Sequence, residues 1–247
     1  MADTDAQLAR RIAETAGALL LTLQSSGLFR DKALGKVGDR IANDFILEAL
    51  AIARPADGIL SEERTDTAKR LDHHRVWIVD PLDGTREFSE QRSDWAVHIG
   101  LAIDGIAATG AVALPGLGTT LSTDQEFALP APPARLRMLV SRTRPAREAL
   151  AVAKALDAEL LPMGSAGAKA MAVVRGEADI YLHTGGQYQW DSCAPIAVAR
   201  AAGLHTSRVD GSPLRYNEAE TYLPDLLICR PELAPQILDL VAALPPV

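Results

Sequence analysis

The stretch WIVDPLDGTREF, Trp77 to Phe88, runs from apolar residues into two aspartates, a proline and a glycine. Residues 75–80 (RVWIVD) are apolar without alternation, which predicts a strand covered on both faces and ending at Asp80. Pro81 fixes the turn, and Asp83 follows Asp80 by three residues. We therefore expect both carboxylates in the crevice at the carboxyl end of the strand, where open sheets bind ligands.

The two residues after Asp83 suit a phosphate. Gly84 lets a ligand approach the backbone closely, and the N–H of Thr85 can begin a helix whose N-terminus attracts anions. The alternative is an ordinary tight turn, because Pro-x-Asp-Gly is good turn chemistry on its own. Residues elsewhere in the chain favour the site.

Further acids end other predicted elements. Glu62 and Glu63 close the strand-like GILSEE segment, and Asp191 follows Trp190 at the start of a predicted helix. Alone, Asp191 is a good helix cap and the glutamates are a solvated loop. Together with Asp80 and Asp83 they form a set of carboxylates that suits a hard divalent cation. Without a cation, such acids would raise one another's pKa values by repulsion.

Two other cation and phosphate motifs fit poorly. The haloacid-dehalogenase-type phosphatases carry Asp-x-Asp-x-Thr, whereas two residues, Pro81 and Leu82, separate the aspartates here. An EF-hand is also a poor match, because the rest of its twelve-residue ligand pattern is missing.

Composition limits the possible partners and compartment. The 247 residues carry a formal charge of −7, which argues against a nucleic acid partner, since Lys and Arg supply most of that affinity. Two cysteines, Cys193 and Cys229, indicate a reducing compartment rather than a disulfide scaffold. No apolar run reaches the ~20 residues of a membrane span, and the N-terminus is an amphipathic helix rather than a signal peptide. We predict a cytoplasmic protein.

The element pattern predicts a layered fold with both helices and strands. Helices are expected up to about Leu23 and over residues 39–53. A hairpin turns at Asp104-Gly105, and strands and helices alternate after residue 135. The proline-rich segment ALPAPPAR, residues 128–135, is the best candidate for a domain boundary. The order of elements favours an α/β or α+β layered fold.

Three motifs in chain order resemble the inositol monophosphatase family of magnesium-dependent, lithium-sensitive phosphatases. They are SEE at residues 61–63, DPLDGT at 80–85 and WD at 190–191. Longer runs, DPLDGTREF, HTGGQYQWDSCAP and DGSPLRYN, resemble the bacterial 3′(2′),5′-bisphosphate nucleotidases linked to sulfate assimilation. The resemblance implies an αβαβα sandwich in two subdomains, 1–130 and 131–247, and a homodimer. It also implies Mg²⁺-dependent hydrolysis of 3′-phosphoadenosine 5′-phosphate to AMP without a phosphoenzyme.

The resemblance also assigns the metal ligands. Glu62, Asp80 and the carbonyl of Leu82 would hold one Mg²⁺, and Asp80, Asp83 and Asp191 a second. A third, weaker ion would use Glu62 and Asp44, and Mn²⁺ is a possible substitute. Asp44 ends the run GDRIAND, in which Ile41 replaces the family's hydroxyl residue. The third ion and the lithium sensitivity therefore stay open.

Catalysis follows from metal ions about 3.5–4 Å apart that clamp an in-line displacement. Thr85, backed by Glu62, would position the attacking water and take up its proton, while Gly84 and Thr85 bind the phosphate. Asp191 would help to protonate the leaving group. Asp83→Asn is expected to remove most turnover and to leave the fold intact.

Substrate choice is expected to lie in the second half of the chain. The candidates for substrate binding are Ser165, Lys169, Tyr188, Arg215 and Tyr216, with His183 also in reach. For Lys169 the alternative is a solvated surface charge. The motifs do not separate a nucleotidase from an inositol-1-monophosphatase or a fructose-1,6-bisphosphatase. A magnesium-dependent binding module without turnover is the alternative from another class.

Overall fold

A computed structural model describes residues 3–245. Helices α1 (Asp5–Ser25) and α2 (Asp31–Ala53) come first. Five strands follow: β1 (Gly58–Ser61), β2 (Arg75–Asp83), β3 (Ala96–Ile103), β4 (Ile106–Leu114) and β5 (Thr119–Ser122), with the short helix α3 (Thr85–Ser89) between β2 and β3. The second half contains β6 (Arg137–Ser141), α4 (Arg147–Ala155), β7 (Glu159–Met163), α5 (Ala166–Val174), β8 (Ile180–Thr184), α6 (Gln189–Ala201), β9 (His205–Ser207), β10 (Asp225–Cys229) and α7 (Ala234–Ala242).

These elements form two five-stranded sheets, ordered β1-β2-β3-β4-β5 and β7-β6-β8-β10-β9. In the first sheet only β1–β2 is parallel. In the second, β7, β6 and β8 are parallel to one another and β10 is antiparallel to both its neighbours. Helices α1 and α2 cover the first sheet, α5 and α6 lie between the sheets, and α4 and α7 pack outside the second. The predicted αβαβα sandwich is confirmed.

The apolar core follows these layers. One cluster lies between α1, α2 and the first sheet, a second surrounds α5 and α6, and a third lies under α4 and α7. Strand β2 has helices on both faces, which explains why its sequence does not alternate. The segment between β5 and β6 contains the predicted boundary at residue 130. The division into subdomains stays a prediction, because the middle cluster includes residues from both sheets.

Helix α2 begins at Asp31, eight residues before the predicted start. The prediction was short because two glycines interrupt the first turns. Both are buried and allow close packing: a Cβ on Gly35 would lie 2.7 Å from Thr85 Cγ2, and one on Gly38 would lie 2.9 Å from Phe88 Cε1. The glycines therefore let α2 contact α3 directly beside the DPLDGT segment.

A second pair of glycines brings α6 against the first sheet. Gly100 on β3 and Gly110 on β4 are paired across the two strands. A Cβ on Gly100 would lie 2.8 Å from Ala194 N, and one on Gly110 would lie 2.7 Å from Ala194 O. These contacts are to backbone, which cannot rotate away. The paired glycines therefore allow the backbone of α6 to lie close against β3 and β4. The first turn of α6 carries Asp191.

Gly110→Ala is expected to destabilise the fold by about 1–3 kcal/mol, because overpacking forces backbone shifts. At this chain length that corresponds to about 2–4 °C in Tm per kcal/mol. Thermal unfolding checks it, with Ala108→Val at an exposed position of the same strand as the control, expected within about 0.5 kcal/mol of the wild type. Equal Tm values for the two variants would contradict the close approach of α6.

None of the helices within residues 3–245 is both long and apolar enough to cross a bilayer. The cytoplasmic location stays a prediction.

Candidate active site

Three aspartates converge where the two halves of the chain meet. Each of Asp80, Asp83 and Asp191 offers a carboxylate oxygen, and these atoms lie within 4.8 Å of one another. Strand β2 continues to Asp83 rather than ending at Asp80 as predicted. Asp80 pairs with His98 and Asp83 with Ala96, so β2 has one extra residue, a bulge. In a regular strand residues three apart face opposite sides; the bulge puts both carboxylates on one side.

Asp83 accepts three hydrogen bonds from the start of α5 and has a histidine beside it. Ser165 Oγ and Gly167 N donate to Oδ2, and Ala166 N donates to Oδ1 at 3.1 Å. His98 Nε2 lies 3.2 Å from Oδ2. Burial alone would raise the pKa of Asp83, but His98, Ser165 and Gly167 outweigh it and lower the pKa to about 2. Asp83 is therefore a firmly ionised carboxylate that also joins β2 to the N-terminus of α5.

Asp80 has a different environment. It is buried, its Oδ1 accepts the N–H of Leu82 at 3.1 Å, and the carboxyl group of Glu62 is within hydrogen-bonding reach. Burial and the negative charges of Glu62, Asp83 and Asp191 raise its pKa well above the ordinary value. Glu62 is exposed as a residue, but desolvation of its carboxyl group and the charges of Asp83, Asp39 and Glu63 raise its pKa to about 7, despite its bond to Asp80.

Asp191 has two roles. Its Oδ2 accepts the N–H of Tyr188, the N-cap residue of α6, at 2.7 Å. Asp191 therefore caps the helix from its third position, not as the N-cap residue that was predicted. The same carboxyl group faces Asp80 and Asp83. Burial, and then the charge of Asp83, raise its pKa to about 7, although the Tyr188 N–H lowers it.

This donor set fits a hard cation. Buried carboxylates that repel one another are costly unless a positive charge compensates them, and oxygen donors at this spacing are those that Mg²⁺ prefers. Asp80, Asp83 and Asp191 would hold the ion, with Glu62 beside them. The residues of this chain therefore fit the metal that the sequence motifs imply.

Thr85, the predicted catalytic threonine, is held by an acid that was not predicted from the sequence. Thr85 begins α3, as predicted, and its Oγ1 lies 3.2 Å from Asp39 Oδ1 and 3.1 Å from Leu82 O. Burial and the charge of Glu63 raise the pKa of Asp39 to about 7, although its bond with Thr85 lowers it. Asp39 is thus part of the same acidic group.

Asp44, the acid assigned to a third ion, does not reach the cluster. It is exposed, and its side-chain hydrogen bond is to the neighbouring Asn43 amide at 3.5 Å. Asp39 and Asn43 lie one turn apart on the inner face of α2, where Asn43 accepts a bond from Ser61 Oγ at 2.8 Å. Asp44 is one residue further round and points away. The assignment of Asp44 is therefore wrong in this structure, and Asp39 is the acid of α2 that faces the site.

Asp39→Asn is expected to lower kcat about 10–100-fold, because Thr85 loses a charged acceptor that orients its hydroxyl. Asp44→Asn on the same helix removes the same charge and is expected to leave kcat within about twofold of the wild type. Steady-state kinetics at saturating Mg²⁺ compare the two variants. A larger loss for Asp44→Asn would restore the original assignment.

Asp83, Asp191 and residues of the second half line one cleft of about 770 Å³. Ser165 lies in the lining of this cleft, caps α5 by accepting the N–H of Ala168 at 2.9 Å and has a φ of +31°. Lys169 is buried in the wall, and its Nζ donates to the carbonyls of Gly164 and Ser165 at 2.6 Å each. Burial lowers the pKa of Lys169 to about 8. Lys169 is not a solvated surface charge; it braces the strained turn that orients Ser165 toward Asp83.

The three remaining candidates for substrate binding, Tyr188, Tyr216 and Arg215, lie in different surroundings. Tyr188 is exposed beside the cleft residue Gln187, and its ring stacks on Trp190 at 4.9 Å. Tyr216 is buried in the middle core, with its hydroxyl 3.1 Å from Ser192 Oγ, and the exposed Arg215 lies outside the cleft lining. The run PLRYN alternates inward and outward, so Tyr216 packs behind α6. The burial of Tyr216 contradicts its prediction as a substrate contact, and Arg215 stays a prediction.

Several site residues were missed from the sequence. His98 lies in an apolar strand, and only the register of β3 against β2 puts it opposite Asp80. Its Nδ1 lies 3.1 Å from the carbonyl of Trp190, so the ring bridges Asp83 and α6. Arg144 and Gln187 also line the cleft. No local motif marks them, although the basic run SRTRPAR could have drawn attention to Arg144.

The model of the inositol monophosphatase family matches residues 6–244 of the chain. The chain belongs to this family. A 3′-phosphoadenosine 5′-phosphate phosphatase of Mycobacterium leprae is 48% identical, over 96% of this chain and 93% of that protein. The 3′(2′),5′-bisphosphate nucleotidase CysQ of Escherichia coli K12 is 32% identical, over 75% of this chain and 80% of its own length.

Solved structures agree with the fold. The crystal structure of CysQ from Bacteroides thetaiotaomicron, a bacterial member of the family, has a TM-score of 0.79 at 25% identity and covers 92% of this chain and 97% of that one. An inositol monophosphatase from Anabaena has a TM-score of 0.77 at 21% identity, covering 98% and 96% of the two chains. The second likeness supports the fold alone.

Proposed function

We propose that this protein is a Mg²⁺-dependent phosphatase that hydrolyses 3′-phosphoadenosine 5′-phosphate to AMP and phosphate. The observation that carries the proposal is the convergence of Asp80, Asp83 and Asp191 at one end of a cleft that also contains basic side chains. The near full-length likeness to a phosphatase named for this substrate supports the choice of ester. A role in sulfate assimilation follows from that substrate.

The cleft residues have separate tasks in this reaction. When bound, Mg²⁺ supplies Lewis-acid stabilisation of the phosphate oxygens and activates water. Thr85 would orient the attacking water and take up its proton, with its hydroxyl held by Asp39 and backed by Glu62. The backbone amides of Gly84 and Thr85 would contact the phosphate, and Asp191 would help to protonate the leaving oxygen. No side chain forms a bond to phosphorus, so the chain mainly positions groups and balances charge.

The finer features of the site belong to the same proposal. We assign two ions, one shared by Glu62, Asp80 and the Leu82 carbonyl and one by Asp80, Asp83 and Asp191, and Mn²⁺ is expected to substitute. The acceptor role of Leu82 O toward Thr85 Oγ1 puts that carbonyl beside the catalytic hydroxyl. A homodimer is expected from the family resemblance alone, and light scattering would test it.

The nucleotide, inositol 1-phosphate and fructose 1,6-bisphosphate should be compared side by side with Mg²⁺. We expect kcat/KM to favour 3′-phosphoadenosine 5′-phosphate by two or more decades, at about 1.4 kcal/mol per decade. Asp191→Asn serves as the inactive blank. Comparable rates on all three would replace the nucleotidase by a broad sugar-phosphate phosphatase. Absence of phosphate release from all of them would favour a binding module without turnover.

A further inference from the structure

A buried arginine joins the loop that carries Glu62 to the second half of the chain. This loop, residues 62–74, connects β1 to β2 and is called the Glu62 loop below. Arg70 lies in it and is 3% exposed, which is unusual for a charged side chain. Its Nη1 donates to Asn217 Oδ1 at 2.8 Å, and its Nη2 donates to the carbonyl of Glu218 at 2.9 Å. The loop is therefore anchored on the segment between β9 and β10.

The contact between Arg70 and Asn217 runs in both directions. Asn217 Nδ2 donates to the carbonyl of Arg70 at 3.3 Å and to that of His73 at 3.4 Å. Asn217 has a φ of +58°, a left-handed conformation that asparagine adopts more readily than most residues. The planar guanidinium of Arg70 also donates to Asp66 Oδ2 at 3.0 Å within the loop. The contact therefore uses the particular chemistry of both residue types.

Gln189 continues the connection to the proposed metal site. It is the first residue of α6, two residues before Asp191, and is 1% exposed. Its Oε1 accepts the N–H of Asn217 at 2.6 Å, and its Nε2 donates to the carbonyl of Glu220 at 2.9 Å. Arg70 and Gln189 therefore bind the same short segment, one from the Glu62 loop and one from the first turn of α6.

The Glu62 loop is not held by apolar packing. Of residues 62–74, only Arg70 is buried. The carboxyl group of Glu62 is within hydrogen-bonding reach of Asp80, in a cluster of acids whose charges repel one another. Repulsion pushes Glu62 away from the other acids, and the contacts of Arg70 oppose that movement.

We infer that Arg70, Asn217 and Gln189 form a clamp that positions Glu62 relative to Asp191, and so sets the affinity of the site for its cation. The inference rests on the proposed function, in which these two acids are metal ligands supplied by different halves of the chain. The three clamp residues lie outside the cleft lining, so their role is positioning and not catalysis.

Two substitutions test the clamp with little other change. Arg70→Lys keeps the charge and loses the planar set of donors, and Asn217→Gly keeps the left-handed backbone and loses the amide. In each we expect the Mg²⁺ concentration for half-maximal phosphate release to rise about 10–100-fold, while kcat at saturating Mg²⁺ stays within about threefold of the wild type. Without substrate, the Mg²⁺-dependent rise in Tm should move to higher concentrations by the same factor.

A matched control and a double variant sharpen the test. Lys69→Gln changes the exposed neighbour of Arg70 and should leave the Mg²⁺ dependence within about twofold of the wild type. The double variant Arg70→Lys/Asn217→Gly should resemble the weaker-binding single variant, because both residues act through one contact. Losses that add in the double variant would contradict a single clamp.

The remaining outcomes are separable. A lower metal-free Tm with an unchanged Mg²⁺ dependence would show that these residues only stabilise the fold, and would overturn the inference. A loss of kcat that saturating Mg²⁺ does not restore would overturn it as well. If the wild type gains Tm with Mg²⁺ but releases no phosphate from the nucleotide, the proposed function fails, and the Tm titrations of the variants still decide whether the clamp sets the affinity for the cation.

Discussion

Asp80→Asn is expected to lower turnover about 100–1,000-fold, or about 2.7–4 kcal/mol of transition-state stabilisation, while leaving the metal-free protein at least as stable as the wild type. The loss follows because Asp80 is the carboxylate shared by both proposed ions. The retained stability follows from its surroundings. Asp80 is buried among Glu62, Asp83 and Asp191, and the oxygen of an asparagine can still accept the N–H of Leu82.

The pH dependence has a definite sign. A carboxyl group whose pKa is raised on folding destabilises the folded state above its unfolded pKa, and the penalty disappears below it. The stability gain of metal-free Asp80→Asn over the wild type should therefore be largest near neutral pH and vanish near the ordinary aspartate value of 3.8. Thermal unfolding with a chelator at several pH values measures it, at about 2–4 °C per kcal/mol.

Asp72→Asn, at an exposed acid outside the cluster, is the control and should change neither turnover nor Tm. A marked destabilisation of metal-free Asp80→Asn would mean that Asp80 is a structural acceptor rather than an uncompensated ligand. Near-wild-type turnover would remove it from the metal site.

Asp83→Asn is expected to lose both turnover and stability. The sequence analysis predicts an intact fold for this variant, but the structure argues otherwise. Ser165, Ala166 and Gly167 all direct donors at the carboxylate, and His98 Nε2 lies 3.2 Å from it. An asparagine replaces one acceptor oxygen by an NH₂ group that faces those donors. Each buried donor left unpaired costs about 1–3 kcal/mol.

The Tm of Asp83→Asn should therefore fall in the metal-free protein, by about 2–4 °C per kcal/mol, alongside a loss of activity similar to that of Asp80→Asn. The pair Asp80→Asn and Asp83→Asn is its own matched control, because each removes one negative charge from the same cluster. If both variants unfolded at the same temperature, the tie between Asp83 and the N-terminus of α5 would contribute nothing to stability.

The metal-binding part of the site could be predicted from sequence because it is local. DPLDGT combines two acids, a turn and a helix start within six residues. Cation and phosphate binding can therefore be predicted there before the fold is known. Asp191 is distant in sequence, but its place at the start of a helix after a strand marks it. The layered fold was also predictable, since residues 76–79 of strand β2 are continuously apolar and helices alternate with strands in the second half.

The residues that were predicted wrongly or missed depend on contacts between elements that lie far apart in the sequence. Choosing Asp39 over Asp44 required the phase of α2, which the early glycines hide. Tyr216 lies in an irregular segment whose alternation buries the ring. Placing His98 beside Asp83 required the register of β3 against the bulged strand β2. Placing Arg144 at the site required knowing which residues line the cleft. In each case contacts across elements decided the role, and no local pattern encodes them.

Titrating Mg²⁺ into the metal-free wild type, while recording both Tm and phosphate release from 3′-phosphoadenosine 5′-phosphate, tests the central claim most directly. A cation that compensates the buried acids should raise Tm as it binds, by about 2.7 kcal/mol of stability at a concentration one hundred times Kd. Turnover should appear over the same Mg²⁺ range, and Asp80→Asn should lose both responses. Phosphate release in excess chelator, or turnover that appears with no change in Tm, would contradict the account.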